Sequence, residues 1–346
     1  MQSKTIMVTG GTGFVGSYLL RHLIRKGYTD VRAIRRPDSS MALVGEVADR
    51  VRWFTADLLD VPALEAAMEG VRQVYHCAAV VSFQRKEAQR MIRTNREGTA
   101  NLVNVALWRG VEKLLHVSSI SALGRRPDSP MVDETVPWQD GTWNSPYGIS
   151  KHLSELEVWR GMAEGLPASI VHPSNILGSG FWKDRTSTGQ MFHTVWKGLP
   201  FRPTGGSGFV DVRDVVRLCE TLMNSGQVGE RYILNAENLP FAAVFDRMAD
   251  ALGVRRPYIR ITPLLREISW RVAEGAALLT GRPPFITRET ARMSSRTFLY
   301  DNRKSIEAFD FTYIPVERTI RETAAQFLAS RTEGFAPSTL PFHEPA

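Results

Sequence analysis

Cysteine is nearly absent. Cys77 and Cys219 are the two cysteines in 346 residues, too few and too far apart for a disulfide framework, and they point to a reducing compartment. No Cys/His cluster has metal-ligand spacing, so no metal site is expected. No run reaches the roughly 18–20 apolar residues that span a bilayer. Repeats and low-complexity tracts are lacking too. The net charge of +7 comes from 43 basic residues interspersed with 36 acidic ones, without the basic stripe that nucleic acid demands. A first strand beginning near residue 5 leaves no signal peptide ahead of it, and the expectation is a cytoplasmic protein without a membrane span. The hydrophobic content of 43% suffices for one large domain, or a domain with a smaller lobe.

What is present begins with Ile6-Met7-Val8, a short apolar run suited to a buried parallel strand. Thr9-Gly10-Gly11-Thr12-Gly13-Phe14-Val15-Gly16 follows, then a helical pattern carried by Val15, Leu19, Leu23 and Ile24 that ends at Gly27. Strand, glycine turn and helix form the context of a dinucleotide fingerprint. Gly10 permits the tight turn, Gly13 lets backbone approach a pyrophosphate, and Gly16 lets helix and strand pack closely. The helix N-terminus favours phosphate.

Strand and helix patterns alternate through the first half, which predicts an α/β, doubly wound parallel sheet. Strand two, Val31–Ile34, ends in Arg35-Arg36. An acid there would hold a ribose 2′-OH, whereas arginine suits a 2′-phosphate, so NADP is expected, with NAD kept open by the nearby Asp38. Strand three, Val51–Thr55, leads to Asp57, placed to reach an adenine. Strand four, Val71–His76, leads to Ala78 and Ala79, small enough for a cofactor to cross the sheet. A long helix covers about 86–108, strand five is Lys113–Val117, and 125–144 reads as loop. Ser145-Pro146 opens another helix, with Ser as cap.

On that helix Tyr147 and Lys151 lie four apart and share a face. An ammonium beside a phenol favours the phenolate and lowers its pKa from about 10 toward useful acid–base chemistry. Ser118 and Ser119, at the end of strand five, are both placed to hold a substrate oxygen.

The chain resembles the extended short-chain dehydrogenase/reductase family. The segments that carry the resemblance are T-G-G-T-G-F-V-G at 9–16, Asp57-Leu58, H-C-A-A at 76–79, N-R-E-G-T-A-N-L at 95–102, V-S-S at 117–119, Y-G-I-S-K at 147–151, H-P-S-N-I-L-G at 172–178 and F-V-D-V-R-D-V at 209–215. The resemblance implies a Rossmann fold with a smaller C-terminal substrate-binding lobe. It implies that Tyr147 is the general acid/base, that Lys151 lowers its pKa and holds the nicotinamide ribose, and that Ser119 rather than Ser118 binds the substrate oxygen, five residues before Gly124. Asn95 matches the asparagine that supports the proton relay. Thr12, Phe14, Val15, Leu58 and His172-Pro173-Ser174 match cofactor-contacting positions, His172 standing where the family more often has Arg. The Asp211–Asp214 segment is structural in the family.

Within the family, Leu177 and Ser179 stand where sugar-nucleotide enzymes usually have Tyr and Pro. With Arg35-Arg36 they lean toward the dihydroflavonol-4-reductase-like branch and reversible hydride transfer between NADPH and a ketone or aldehyde. Phe83, Trp138, Trp143, Phe181 and Trp182 near the expected mouth hint at a bulky apolar or aromatic substrate, though ordinary lobe packing explains them equally well. Alternatives are an NAD-dependent sugar epimerase/dehydratase, a 3β-hydroxysteroid dehydrogenase-like enzyme and a silent dinucleotide sensor. The expected layout is a dinucleotide domain over 1–172 with 206–237 returning to it, and a lobe from 173–205 and 238–346. Leu265, Ile268, Val272, Ala276 and Leu279 form a helical stripe read as core or lid. The tail after Glu333 is expected to lie loosely on the surface, and a homodimer through the helices near 86–108 and 146–164 is implied.

Overall fold

The computed structural model describes residues 4–342 except 83, 127–128, 142–143, 184–186, 281–290 and 292–293. Phe83 and Trp143, and the side chains of Ala276 and Leu279, lie outside the described residues.

Seven strands form one parallel sheet: β1 (Ile6–Thr9), β2 (Val31–Arg35), β3 (Arg52–Thr55), β4 (Gln73–His76), β5 (Lys113–Val117), and, after the two-residue β6 (Met131–Val132), β7 (Ala168–Pro173) and β11 (Glu230–Leu234). Their order is β11-β7-β5-β4-β1-β2-β3. The chain runs outward one way from β1 through β2 and β3, then restarts on the other side at β4, so a crevice opens between the C-terminal ends of β1 and β4.

Alternation along the strands feeds two cores. In β1, Ile6 and Val8 enter the cluster under α1 (Phe14–Arg25) and α6 (Val212–Asn224), while Met7 enters the one under α2 (Val61–Ala67), α3 (Ala88–Trp108) and α4 (Pro146–Ala163). Each fully buried Leu, Ile or Val contributes about 1.5–3 kcal/mol, enough to override weak local propensities. α1 stops at Gly27, whose φ of +86° suits glycine. Asp60 caps α2 through Ala63 N–H, and Ser145 caps α4 through Gly148 N–H.

A second layer has its own three-stranded sheet of β8 (Asn175–Leu177), β10 (Gly206–Asp211) and β12 (Glu237–Pro240), in the order β12-β10-β8. It packs with α5 (Gly189–Trp196), α7 (Phe241–Leu252) and α10 (Val316–Ser330) around Trp182, Phe192, Phe209 and Phe327. β10 feeds both cores, Phe209 the second layer and Val210 the one under α1 and α6. β10 pairs with β8 and β12, and the chain rejoins the large layer with α6 and β11. The expected loop over 125–144 contains β6, which pairs with β14 (Leu299–Tyr300).

The tail is not loose. Leu340 is 2% exposed, its N–H donates to the Tyr18 hydroxyl at 2.6 Å, and Pro341 O accepts from Arg213. A Pro-rich composition concealed two anchoring residues, Leu340 and Phe342, which complete the α1 core. The Asp211–Asp214 segment is structural. Arg213 donates two bonds to the Asp211 carboxylate, which also accepts from Thr319 of α10.

Candidate active site

The glycine turn closes on itself. Gly10 adopts φ +68°, and a Cβ there would lie 2.8 Å from the backbone of Ala78 at the end of β4. A Cβ on Gly16 would lie 2.1 Å from the Gly10 carbonyl oxygen, so Gly16 seats α1 on the turn rather than on the strand. Gly13 is the N-cap of α1. It brings no side-chain cap, and the first turn holds no acid, so the helix's leading N–H groups face outward without an internal anion. Thr12 and Val15 are half-buried beside it, and the Phe14 ring lies against Gly180 and edge-on to Tyr18.

Arg35 ends β2 half-exposed, with no ion pair among the described residues. The Arg36 guanidinium stays more than half exposed and approaches Asp38 at 3.8 Å. Asp57 Oδ1 accepts from Leu59 N–H at 2.9 Å, holding the loop after β3. Leu58 packs on Gly98, and its carbonyl accepts from Asn101. Ala78 N–H donates to Thr9 Oγ1 at 3.2 Å, which fixes the β4 end against β1, and Ala79 follows exposed.

Across the crevice, the Ser119 hydroxyl accepts from Ser121 N–H at 3.1 Å and lies near enough to the Tyr147 phenol to pull its pKa down. Ser118 turns the other way and donates to the buried carboxylate of Glu155. Lys151 is 3% exposed, and its Nζ donates to the Val117 carbonyl at 2.7 Å, at the end of β5. Asn95 of α3 is a clamp. Its Oδ1 accepts from Val80 N–H at 2.7 Å, and its Nδ2 donates to Val80 O and to Ser150 Oγ at 2.9 and 3.1 Å. Ser150 in turn donates to the Tyr147 carbonyl at 2.8 Å, so the asparagine ties the segment after β4 to the first turn of α4.

The expected lowering of the Tyr147 pKa is not what the structure gives. Burial pushes the phenol up to about 12, against the Ser119 hydrogen bond that pulls it down. Burial also brings Lys151 down to about 8, opposed by Glu155 and Cys77. The Lys151 ammonium is engaged by the strand-end carbonyl of Val117. Tyr147 is therefore a protonated donor at neutral pH.

His172 also departs from expectation. Its imidazole is fully buried, and its Nε2 lies 2.8 Å from Glu155 Oε1, so its side chain faces the core and only its backbone is at the strand end. Pro173 and Ser174 continue that strand end, and the buried Ser174 hydroxyl has no protein partner among the described residues. The aromatics divide by packing. Trp182 is buried in the second core, with Nε1 on Ala336 O. Trp138 stacks on His152 at 4.2 Å. Phe181 is half-buried.

Sequence reasoning missed Glu155, though its signal was there. Tyr147, Lys151 and Glu155 recur at intervals of four, a continuous stripe on α4. It also missed the imidazoles beneath the site. His76 bonds Thr9 and Thr99, and burial brings it down to about 3. The His116 ring lies 5.0 Å from that of His76 and is held neutral by burial.

Residues 6–235 match the model of the NAD dependent epimerase/dehydratase family. A putative dihydroflavonol 4-reductase of Synechocystis sp. is 29% identical over 330 residues, 92% of this chain and 93% of that protein. Sterol demethylase protein B of Methylococcus capsulatus is 33% identical, covering 84% of this chain and 86% of the relative. The crystal structure of gox2253 is similar with a TM-score of 0.80 and 32% identity, over 96% of this chain and 99% of that one.

Proposed function

Because this chain belongs to the NAD dependent epimerase/dehydratase family, extended short-chain dehydrogenases/reductases that work with NAD(P), we propose that it reduces a ketone or aldehyde on a bulky apolar or aromatic substrate with NADPH, reversibly. The observation that carries this reading is the convergence of Ser119, Tyr147 and the buried Lys151 at the C-terminal edge of a parallel sheet whose glycine turn opens α1. The uncapped N-terminus of α1 and the Gly10 cradle fit a dinucleotide pyrophosphate. Arg35, without an ion pair among the described residues, and Arg36 next to it fit a 2′-phosphate, which supports NADP over NAD. Asp57, Leu58, Ala78, Ala79, Pro173, Ser174 and the backbone of His172 would line the remaining path.

The nicotinamide, when bound, supplies or takes up the hydride. Ser119 holds the carbonyl oxygen, and Tyr147, kept protonated by burial, gives it the proton. Lys151 would hold the ribose, and Asn95 fixes the first turn of α4 so that the phenol stays in line. The protonated phenol is the form that acts as proton donor in the reductive direction.

Tyr147→Phe tests the reading. Turnover should fall by 10²-fold or more, within the range of general acid catalysis, while NADPH affinity holds. Unchanged turnover would sink it. Arg35→Ala should weaken NADPH by about 1.5–3 kcal/mol and leave NADH nearly unmoved, read by fluorescence titration. Equal losses for both would remove the NADP assignment.

The 26% identity, over 93% of this chain, to 3beta-hydroxysteroid-dehydrogenase/decarboxylase isoform 1 of Arabidopsis thaliana favours a second reading, a 3β-hydroxysteroid dehydrogenase-like enzyme. Oxidation of 3β-hydroxysterols with NAD in preference to reduction of aromatic carbonyls would select it. We also propose a homodimer through α3 and α4. Their outer faces form a groove lined by Ile92, Arg93, Arg96, Leu153 and Glu157, with Leu156 exposed beside it. A one-subunit mass by light scattering would refute it. The free thiols Cys77 and Cys219 support a cytoplasmic location.

A further inference from the structure

We propose that Glu155 is a positioning residue: the buried counter-charge of the Lys151 ammonium, and the tie that locks the ends of β5 and β7 to α4. The inference rests on the site reading above. Glu155 lies one turn beyond Lys151 on the same face of α4 and is 1% exposed. Its carboxylate accepts from Ser118, the neighbour of Ser119, and its Oε1 lies 2.8 Å from His172 Nε2, the neighbour of Pro173. One carboxylate thus joins the three elements that carry Tyr147 and Lys151, the substrate-oxygen serine and the β7 strand end.

The surroundings give it an electrostatic task. Near Lys151, β4 contributes His76 with Cys77 just after it, β5 contributes His116, and β7 contributes His172. Burial keeps His76 and His116 neutral and the Cys77 thiol protonated, with its pKa pushed up to about 12. None of these offsets the ammonium. Burial also pushes Glu155 up, but His172, Ser118 and Arg231 of β11 hold it below the ordinary range, so it stays a carboxylate. His152 of α4 and Glu134 complete the nearby titratable groups; burial lowers the first and raises the second. Removing the Glu155 charge while keeping its shape would let Lys151 lose its proton at lower pH.

The test is the pH dependence of NADPH binding, followed by cofactor fluorescence between pH 6 and 9.5. Wild type should bind more weakly above the Lys151 midpoint near 8. Glu155→Gln should move that midpoint down by roughly one pH unit, which weakens binding about fivefold at pH 8 and little at pH 6. Glu155→Asp keeps the charge and should keep the wild-type midpoint. A Gln variant with the wild-type midpoint, or an Asp variant displaced as far as Gln, overturns the proposal. Should the Gln variant not fold, the Asp variant decides alone, since a displaced midpoint there contradicts a role for charge. Lys151→Ala separates the two levels. If it keeps the wild-type pH dependence, the site reading fails. If it abolishes that dependence while Glu155→Gln leaves the midpoint in place, only the role of Glu155 falls.

Discussion

Two alanine substitutions that look identical in sequence should act with opposite sign. Gly16 and Gly275 both sit inside helices, where Gly→Ala ordinarily stabilises by about 0.8–1.0 kcal/mol through backbone entropy. At Gly275 a Cβ meets no atom of the described residues within 4 Å and φ is not positive, so Gly275→Ala should gain up to about that amount. At Gly16 the Cβ would stand 2.1 Å from Gly10 O, 2.7 Å from Gly10 C and 2.9 Å from Gly11 Cα. Cβ atoms keep at least 3.0 Å, so the turn must retreat by roughly 0.9 Å. Every clashing atom is backbone, and Gly10 is already pinned from behind by Ala78. The propensity gain is therefore outweighed by an overpacking cost of about 1–3 kcal/mol. The same retreat displaces the phosphate-facing turn, so NADPH affinity should fall at least tenfold. Urea unfolding of both variants and NADPH titration read the two effects. A Gly16→Ala protein as stable as Gly275→Ala, with wild-type affinity, would refute the reasoning.

Leu340→Ala should cost about 2–5 kcal/mol in thermal or urea unfolding because it opens a cavity in the α1 core; a tail resting on the surface would give less than about 0.5 kcal/mol. Asp214 tests the buried hub of α6. Burial, with Asp211 adding to it, raises its carboxyl to about 7, against the Ile314 N–H that lowers it. A raised acid stabilises the fold fully below its unfolded value near 4, and that contribution disappears as pH rises through about 7. Asp214→Asn, neutral throughout, should therefore flatten the stability-versus-pH curve between pH 4 and 7; parallel curves for wild type and variant would contradict this.

Much of the site was readable as local pattern. Gly10, Gly13 and Gly16 announced the turn because only a strand, a glycine loop and a helix in succession need them at that spacing. Ser145-Pro146 announced the start of α4, and so placed Tyr147 and Lys151 on one face. Hydrophobic runs gave every strand of the parallel sheet through β5: β1, β4 and β5 are buried along their whole length, and even the edge strand β3 keeps Trp53 and Phe54 half-buried.

The remainder was decided by contacts between residues far apart in the chain. Which of two adjacent serines faces Tyr147 follows from the direction in which β5 ends: Ser118 points to Glu155 and Ser119 to the phenol. The pKa of Tyr147 follows from how deeply the assembled crevice encloses it, not from the spacing to Lys151. Leu340 anchors the tail because Tyr18, 322 residues earlier, presents its hydroxyl to that backbone. Sequence by itself determined the order of elements and the residue types on each helix face, since these depend on neighbours three or four apart. Tertiary structure decided burial, partners and charge states. Desolvation and hydrogen bonding are properties of the space a side chain occupies, and that space exists only once β4, β5, β7 and α4 have met.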